Sequence, residues 1–431
     1  MLCLNQAPSI LFGYGSLPLA LPEGYKGRVI EKPEMALLSD PGQAFGVALD
    51  EPVGCGRLSD LAKAAKSVCI LICDITRPVP NGLILPRLIE TLLASGIEAC
   101  DIVVLVATGL HRPNLGEELR RLVGSDWALN TVRVENHMAH DEAAHVQIGV
   151  TTRGTCVKLD RRFVEADLKI ATGLVEPHFM AGYSGGRKVI SPGVAYAETI
   201  ETFHNTRFME DPAARNCNFE GNPLHEEQLE IVRMLGTVYS VNTCLDAERR
   251  LAFINFGEIV ESHLKAVAFM RQSAEVPVEQ RYRSVITSCA GYPLDLTFYQ
   301  TTKGIIGALG VLEKGGSLLI ASECAEGLGS PEFCAAQGLL VEKGIEGFLK
   351  EARSRSLARM DEWTTVKLIQ ALRDYRVHLY STGLDESQRR LTGITCHTDW
   401  NEAVSSVLAE GNSSDVAIIP EGPYVIPFCT D

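Results

Sequence analysis

The sequence predicts an α/β fold built from two domains, each a parallel-type sheet flanked by helices. Three observations carry that expectation. The chain has 431 residues, and at roughly 100 to 200 residues per domain a length of this order divides into two or three domains. Short, near-continuous apolar runs alternate with amphipathic stretches from Ser67 onward, as strands and helices do in an open parallel sheet. The same alternation restarts near Arg283, after AEVPVEQRYR, a charged, non-periodic stretch with a proline. The predicted domains are therefore 1–278 and 279–409, with the closing segment, about 410–431, returning to the first.

Individual elements follow in chain order. SVCILICD reads as a strand, with Cys69 and Cys73 on one face as packing residues. LILPRLIETLLASG places apolar residues at helical spacing, which predicts a helix from about Leu85 to Ser95 stopped by Gly96. DIVVLVAT, from Asp101, is the next strand, and its Val and Leu content implies burial on both faces. A third unit runs from DLKIAT through the loop GLVEPHFMAGYSGGRK to the helical AYAETIETFHNT. In the second block SVITS, the loop CAGYPLDL, TFYQTTKGIIGALGVLE and GGSLLIAS make another βαβ unit, and VHLYST and DVAIIP are further strands.

Composition narrows the function classes. A hydrophobic share of 46% and a mean hydropathy of +0.07 describe a chain able to bury a sizeable core. The net charge of −14 argues against a protein that works by neutralising nucleic-acid phosphates. Thirteen cysteines, scattered and odd in number, read as reduced thiols. The amino-terminal stretch MLCLNQAPSILFGYG lacks a basic segment followed by an apolar core, and no run reaches the length of a bilayer span, so a cytoplasmic location is the expectation.

Ligands of open α/β sheets bind beyond the carboxyl ends of the strands. Asp74, Arg77, His111 and His178 all fall in such loops. VLVATGLHRP and LKIATGLVEPH are internal echoes, each a strand followed by ATGL, a proline and a histidine. Two imidazoles in matching loops suit inversion at a carbon, which needs an acid or base on each face. Arg77 offers a fork for a carboxylate, or a surface ion pair. Asp74 either holds its loop or contacts a cofactor. GYSGGRKVISPG is the most unusual stretch, because Gly185 and Gly186, after Ser184, would let backbone approach a ligand before Lys188, an amine available for attachment. Gln300 and Lys303 lie three apart and share a helix face. His204 and Trp363 read as an ordinary helix residue and a core residue. His137, His140 and His145 in HMAHDEAAH tempt a zinc reading, which predicts a hydrolase, but without HExxH they read as polar loop histidines.

Taken in order, DITRP, ATGLHRP, EPHFMAGYSGGRKVISPG, TFHNT, GYPLDLTFYQTTKG and DEW resemble the nickel-pincer lactate racemases from about residue 67 to residue 363. The resemblance implies two α/β domains with the active site in the cleft between them. It implies a nickel-pincer nucleotide, a pyridinium mononucleotide with two sulfur-bearing arms, tethered to Lys188 as a thioamide and completed by His204 as the protein's nickel ligand. It also implies His111 and His178 as the paired acid/base residues, and Arg77, Gln300 and Lys303 on the substrate carboxylate and then the keto oxygen. Trp363 would line the pocket, and Asp74 with Ser184, Gly185 and Gly186 would contact the cofactor. The expected activity is racemisation or epimerisation of a 2-hydroxy acid by hydride transfer through a bound 2-keto acid. Lactate is one substrate; a gluconate-type sugar acid, malate and an aromatic hydroxy acid are alternatives, and a non-catalytic nucleotide or hydroxy-acid binder is the reading from another class. Separate cofactor-maturation enzymes are the implied partners, and monomer and dimer stay open.

Overall fold

The computed structural model describes residues 8–430, so residues 1–7 and 431 of the expected domains lie outside the described residues. The chain resolves into two compact units. One comprises Glu34–Phe203 and Phe219–Gln272. The other comprises the described residues of Met1–Pro33 and Ser273–Asp431 together with His204–Asn218.

The first unit is built on a six-stranded sheet ordered Leu251–Glu258, Tyr239–Leu245, Leu168–Leu174, Val68–Cys73, Ile102–Ala107, Arg133–Asn136. All neighbours are parallel except the pair at the Leu251–Glu258 edge. The alternation of side chains splits each central strand between two apolar layers. Val68, Ile70 and Ile72 join Val104 and the helix residues Ile84, Leu85, Leu88 and Leu92 on one face. Cys69 and Leu71 join Val103, Leu105, Ala171, Val189 and Ile190 on the other. Burying a side chain of this size contributes about 1.5–3 kcal/mol, so both faces need their helices. The predicted helix starts four residues early, spanning Asn81–Ala94, because Asn81 sends its amide to the Leu122 carbonyl at 3.0 Å and so docks the first turn.

The second unit carries an all-parallel sheet ordered Thr395–His397, Arg376–Tyr380, Leu312–Ala321, Tyr282–Ser288, Asp415–Ile419, Lys26–Val29. Three features correct the expected domain bounds. Strand Asp415–Ile419 pairs with Tyr282–Ser288, and Ile426–Cys429 pairs with Glu275–Val278, so the closing segment stays with the second block. Strand Lys26–Val29 completes that sheet from the beginning of the chain, although all four of its residues are exposed and its KGRV sequence gives no apolar signal. His204–Asn218, inside the predicted first domain, also belongs to this unit. It is held by the fully buried Lys367, whose ammonium donates to the Met209 and Ala214 carbonyls at 2.7 and 2.6 Å.

In each unit the chain leaves a central strand, builds one side of the sheet and returns to the other. The reversal falls between Val68–Cys73 and Leu168–Leu174 in the first and between Tyr282–Ser288 and Asp415–Ile419 in the second. A crevice opens at the carboxyl ends of strands at such a switch. Among the described residues, no helix is long and apolar enough to cross a membrane.

Candidate active site

The loops at the first switch carry the predicted groups. Strand Val68–Cys73 ends at Asp74, whose Oδ1 accepts from the Thr76 backbone at 3.1 Å and hydroxyl at 2.5 Å, closing a turn that presents Arg77. Its Oδ2 lies 2.6 Å from Nδ1 of His111 in the loop after Ile102–Ala107. Burial of Asp74 opposes its charge, but the bonds from His111 and Thr76 outweigh it and hold the carboxyl below the usual carboxylate range. An ionised carboxylate only accepts, so Nδ1 of His111 carries a proton, and in the neutral ring Nε2 keeps its lone pair. The His111 side chain is 58% exposed, so that lone pair is open to a ligand.

His178 is wired the opposite way. It is buried in a short hairpin, and its Nδ1 accepts from the backbone N–H of Met180 and Ala181 at 3.3 and 3.2 Å. Two donors on Nδ1 place the neutral ring's proton on Nε2. In their neutral forms the two imidazoles thus carry the proton on different nitrogens.

Arg77 makes an ion pair with Glu176, the residue two before His178. The Glu176 backbone in turn binds Ser184, accepting from its N–H at 2.9 Å and donating to its hydroxyl at 3.1 Å. Ser184 Oγ also donates to the Leu174 carbonyl at 2.7 Å. The Ser184 hydroxyl thus closes its own loop. The two glycines are closely packed by protein. A Cβ on Gly185 would lie 2.8 Å from Val175 Cγ2, and one on Gly186 2.6 Å from His263 Cγ, with φ of +76° and +49°. Both are glycine because protein fills the space a side chain would take. Lys188 follows half-buried in the turn Arg187–Ile190, its N–H on the Gly185 carbonyl at 3.0 Å. Gly193, at the end of this stretch, accepts from Gly109 N–H at 2.9 Å and so ties it to the His111 loop.

The second unit gathers the remaining candidates. His204 precedes Asn205, the cap of helix Thr206–Met209, and its ring lies 5.0 Å from that of Trp363. Trp363 donates its indole N–H to Tyr299 Oη at 3.3 Å. Tyr299 neighbours Gln300 on helix Phe298–Ala308, which Thr297 caps and on which Lys303 lies one turn further. Gln300 Oε1 is buried with no hydrogen-bond partner, an acceptor awaiting a donor.

Of the HMAHDEAAH histidines, His140 is exposed, His145 binds the Asp141 carbonyl through Nδ1 at 2.7 Å, and His137 is bonded through both nitrogens. His137 spends Nδ1 on Asp160 and Nε2 on the Ala195 carbonyl, both at 3.1 Å. Asp160 loses solvation, but Arg162 and His137 outweigh that and keep its carboxyl far below the ordinary range. Asp160→Asn should therefore destabilise the protein by roughly 3–5 kcal/mol at neutral pH, the cost of breaking a buried ion pair. Because the folded carboxyl is depressed, its contribution is present above about pH 4 and lost as pH falls through the folded value. In urea titrations the gap between wild type and variant should narrow below about pH 4; a gap constant down to pH 2 would refute this.

The chain matches two family models, the lactate racemase N-terminal domain over residues 12–216 and the lactate racemase C-terminal domain over residues 279–427. It is 31% identical over 384 residues to the lactate racemase of Thermoanaerobacterium thermosaccharolyticum, covering 88% of each chain. The chain belongs to the lactate racemase family. The lactate racemase of Lactiplantibacillus plantarum is 30% identical over 383 residues, covering 88% of this chain and 89% of the relative. A solved structure, the lactate racemase apoprotein from T. thermosaccharolyticum, superposes with a TM-score of 0.89 at 29% identity over 97% of this chain and 99% of that one. A protein from Thermotoga maritima shares the fold alone, at 18% identity and a TM-score of 0.64, over 87% of this chain and 98% of that one. Membership of the lactate racemase family makes this chain a racemase-class isomerase acting on a small molecule. Sequence reasoning did not find Glu176, Tyr299 or His263, the groups that hold Arg77, Trp363 and Gly186. Only Glu176 left a signal, since it occupies in LVEPH the place Arg112 has in LHRP.

Proposed function

We propose that this racemase inverts C2 of a 2-hydroxy acid, with lactate, the substrate named in its relatives, as the first candidate. The observation that carries the reading is the opposite wiring of His111 and His178, one base and one acid held by different partners. Deprotonating a hydroxyl at one face and supplying a proton at the other is the task of such a pair.

The residues fit the nickel-pincer nucleotide. Lys188 is a primary amine on the turn Arg187–Ile190, and Arg187 beside it binds the Ala181 carbonyl and His263. Among the described residues no three His, Cys, Asp or Glu side chains form a metal cage, so His204 suits a metal whose remaining donors come from a cofactor. Lys188 would hold the nucleotide and His204 the nickel, and a group held there would supply a reversible acceptor for the C2 hydride.

The chain's own part is orientation and proton handling. Arg77 has five donors, so Glu176 can fix one edge of the guanidinium while the other takes the substrate carboxylate. The Gln300 amide N–H and the Lys303 ammonium would donate to the substrate oxygen, leaving its one O–H for His111 and holding that oxygen once it is a ketone. His111 Nε2 takes the hydroxyl proton while Asp74 stabilises the resulting imidazolium. His178, with its proton on Nε2, protonates the oxygen when the opposite enantiomer forms. Trp363 packs on His204 and would steady it as a nickel ligand.

The test uses enzyme co-produced with the family's cofactor-building enzymes. Enantiopure lactate, malate, gluconate and an aromatic 2-hydroxy acid are incubated in deuterated water, and the products are resolved by chiral chromatography and mass. Inversion with protium retained at C2 supports the proposal. Deuterium at C2 would point to proton abstraction from carbon and sink the hydride reading, and no inversion of any acid would favour a binding protein.

A further inference from the structure

The glycine loop that carries Lys188 rests on a group with no assigned role. His263 lies in helix Ile259–Ala274, far in sequence from any motif above, and is 3% exposed. Its Nε2 lies 2.7 Å from the Ser184 carbonyl and its Nδ1 3.3 Å from a terminal nitrogen of Arg187. The His263 side chain lies so close under Gly186 that a Cβ there would fall 2.6–2.9 Å from three of its carbons, Cγ, Cδ2 and Cβ. One imidazole therefore meets the residue before the two glycines, the second glycine, and the residue after them.

The hydrogen-bond roles are fixed by the partners. A carbonyl only accepts and a guanidinium only donates, so His263 donates from Nε2 and accepts at Nδ1, which is the neutral ring. Burial and the nearby Arg187 charge hold the imidazole down to about 3, so it stays in that form throughout the working range. Arg187 completes the arrangement by donating to the Ala181 carbonyl at 3.0 Å and stacking on Phe219, 4.6 Å from the ring centroid. His225 stacks on Phe219 as well, with ring centroids 4.1 Å apart. Among the described residues no carboxylate pairs with Arg187, so its orientation depends on these neutral partners. Burial draws it down to about 9, still charged at neutral pH.

We infer that His263 is a positioning residue for the cofactor loop: through Ser184, Gly186 and Arg187 it fixes the backbone from which Lys188 reaches its attachment point. The inference rests on the reading of Lys188 as the tether. Losing a group that holds a cofactor's ligands in place typically costs 10- to 100-fold in affinity or activity. A lysine on a glycine-rich turn has many accessible positions, and a loop that samples them reacts slowly with a bulky nucleotide.

The test compares His263→Gln with His263→Met in the full-length protein. Glutamine carries both a donor and an acceptor, whereas methionine fills the space with neither. Two readouts are taken: amide hydrogen exchange of the peptide covering residues 182–193 in protein without cofactor, and the fraction of chains bearing the nickel adduct after co-production with the maturation enzymes. The expected result is faster exchange confined to that peptide in His263→Met and an adduct fraction lowered about 10- to 100-fold, with His263→Gln close to wild type in both. Unchanged exchange and full loading in folded His263→Met would overturn the inference. Should His263→Met not fold, folded His263→Gln decides: a protected loop supports the inference, and a loop exchanging like an exposed peptide refutes it. A wild type that acquires no adduct removes the tether reading, and the exchange comparison then decides the positioning of the loop on its own.

Discussion

Protein co-produced with the maturation enzymes should carry a nickel-bearing mass adduct that both Lys188→Ala and Lys188→Arg lack, and both variants should have no measurable racemase activity. The arginine variant is the informative one. A thioamide needs a primary amine, and a guanidinium, although it keeps the charge and much of the length, cannot supply one. A phosphate clamp at this position would survive the arginine change with a modest loss of affinity; a covalent tether would not. His204→Ala separates the two halves of the cofactor's hold. It removes the metal ligand and leaves the amine, so the organic adduct should persist with its nickel largely lost. Intact mass under denaturing conditions, with nickel measured on the same samples, distinguishes these states. An adduct retained in Lys188→Ala would refute the tether, whatever its effect on activity. Since Lys188 is half-buried on a short turn whose backbone is held by Gly185, neither substitution should move the melting temperature by more than a few degrees.

Much of this architecture is legible in the sequence, for identifiable reasons. Strands buried on both faces announce themselves as apolar runs, and SVCILICD, DIVVLVAT, DLKIAT and SVITS all lie in central positions of the sheets. Lys26–Val29 left no such trace because an edge strand with both faces wet has no need of apolar residues. Domain membership was harder to read for the same kind of reason. The His204–Asn218 segment is claimed by the second unit through a buried lysine 153 residues downstream of Ala214, a contact with no local signature. At the site, residue types and strand ends pointed to the groups but not to their partners. Ser184, Gly185 and Gly186 look like ligand-facing residues in the sequence, yet the hydroxyl closes the loop and the glycines make room for Val175 and His263. Sequence shows where a backbone is permitted to come close. It does not show what comes close to it.

Asp74 binds the ring of His111, and Asp74→Asn should lower turnover by roughly 10²- to 10⁴-fold at unchanged nickel content. The carboxylate accepts from Nδ1 of His111 at 2.6 Å and leaves Nε2 as the base. An asparagine amide turned toward the ring offers a donor instead, which moves the imidazole proton to Nε2 and removes the lone pair that takes the substrate proton. If the two residues act as a unit, the double variant Asp74→Asn/His111→Ala should be no slower than His111→Ala alone. The equilibrium constant for interconverting enantiomers is unity, so kcat/KM in the two directions must fall by the same factor even though His111 is the base for one enantiomer only. The individual kcat and KM values are free to move apart, and that split should be larger in Asp74→Asn than in wild type. Normalising to nickel makes the alternative visible. A variant with reduced metal loading but full turnover per nickel would return Asp74 to the role of cofactor contact, whereas full loading with slow turnover assigns it to the orientation of His111.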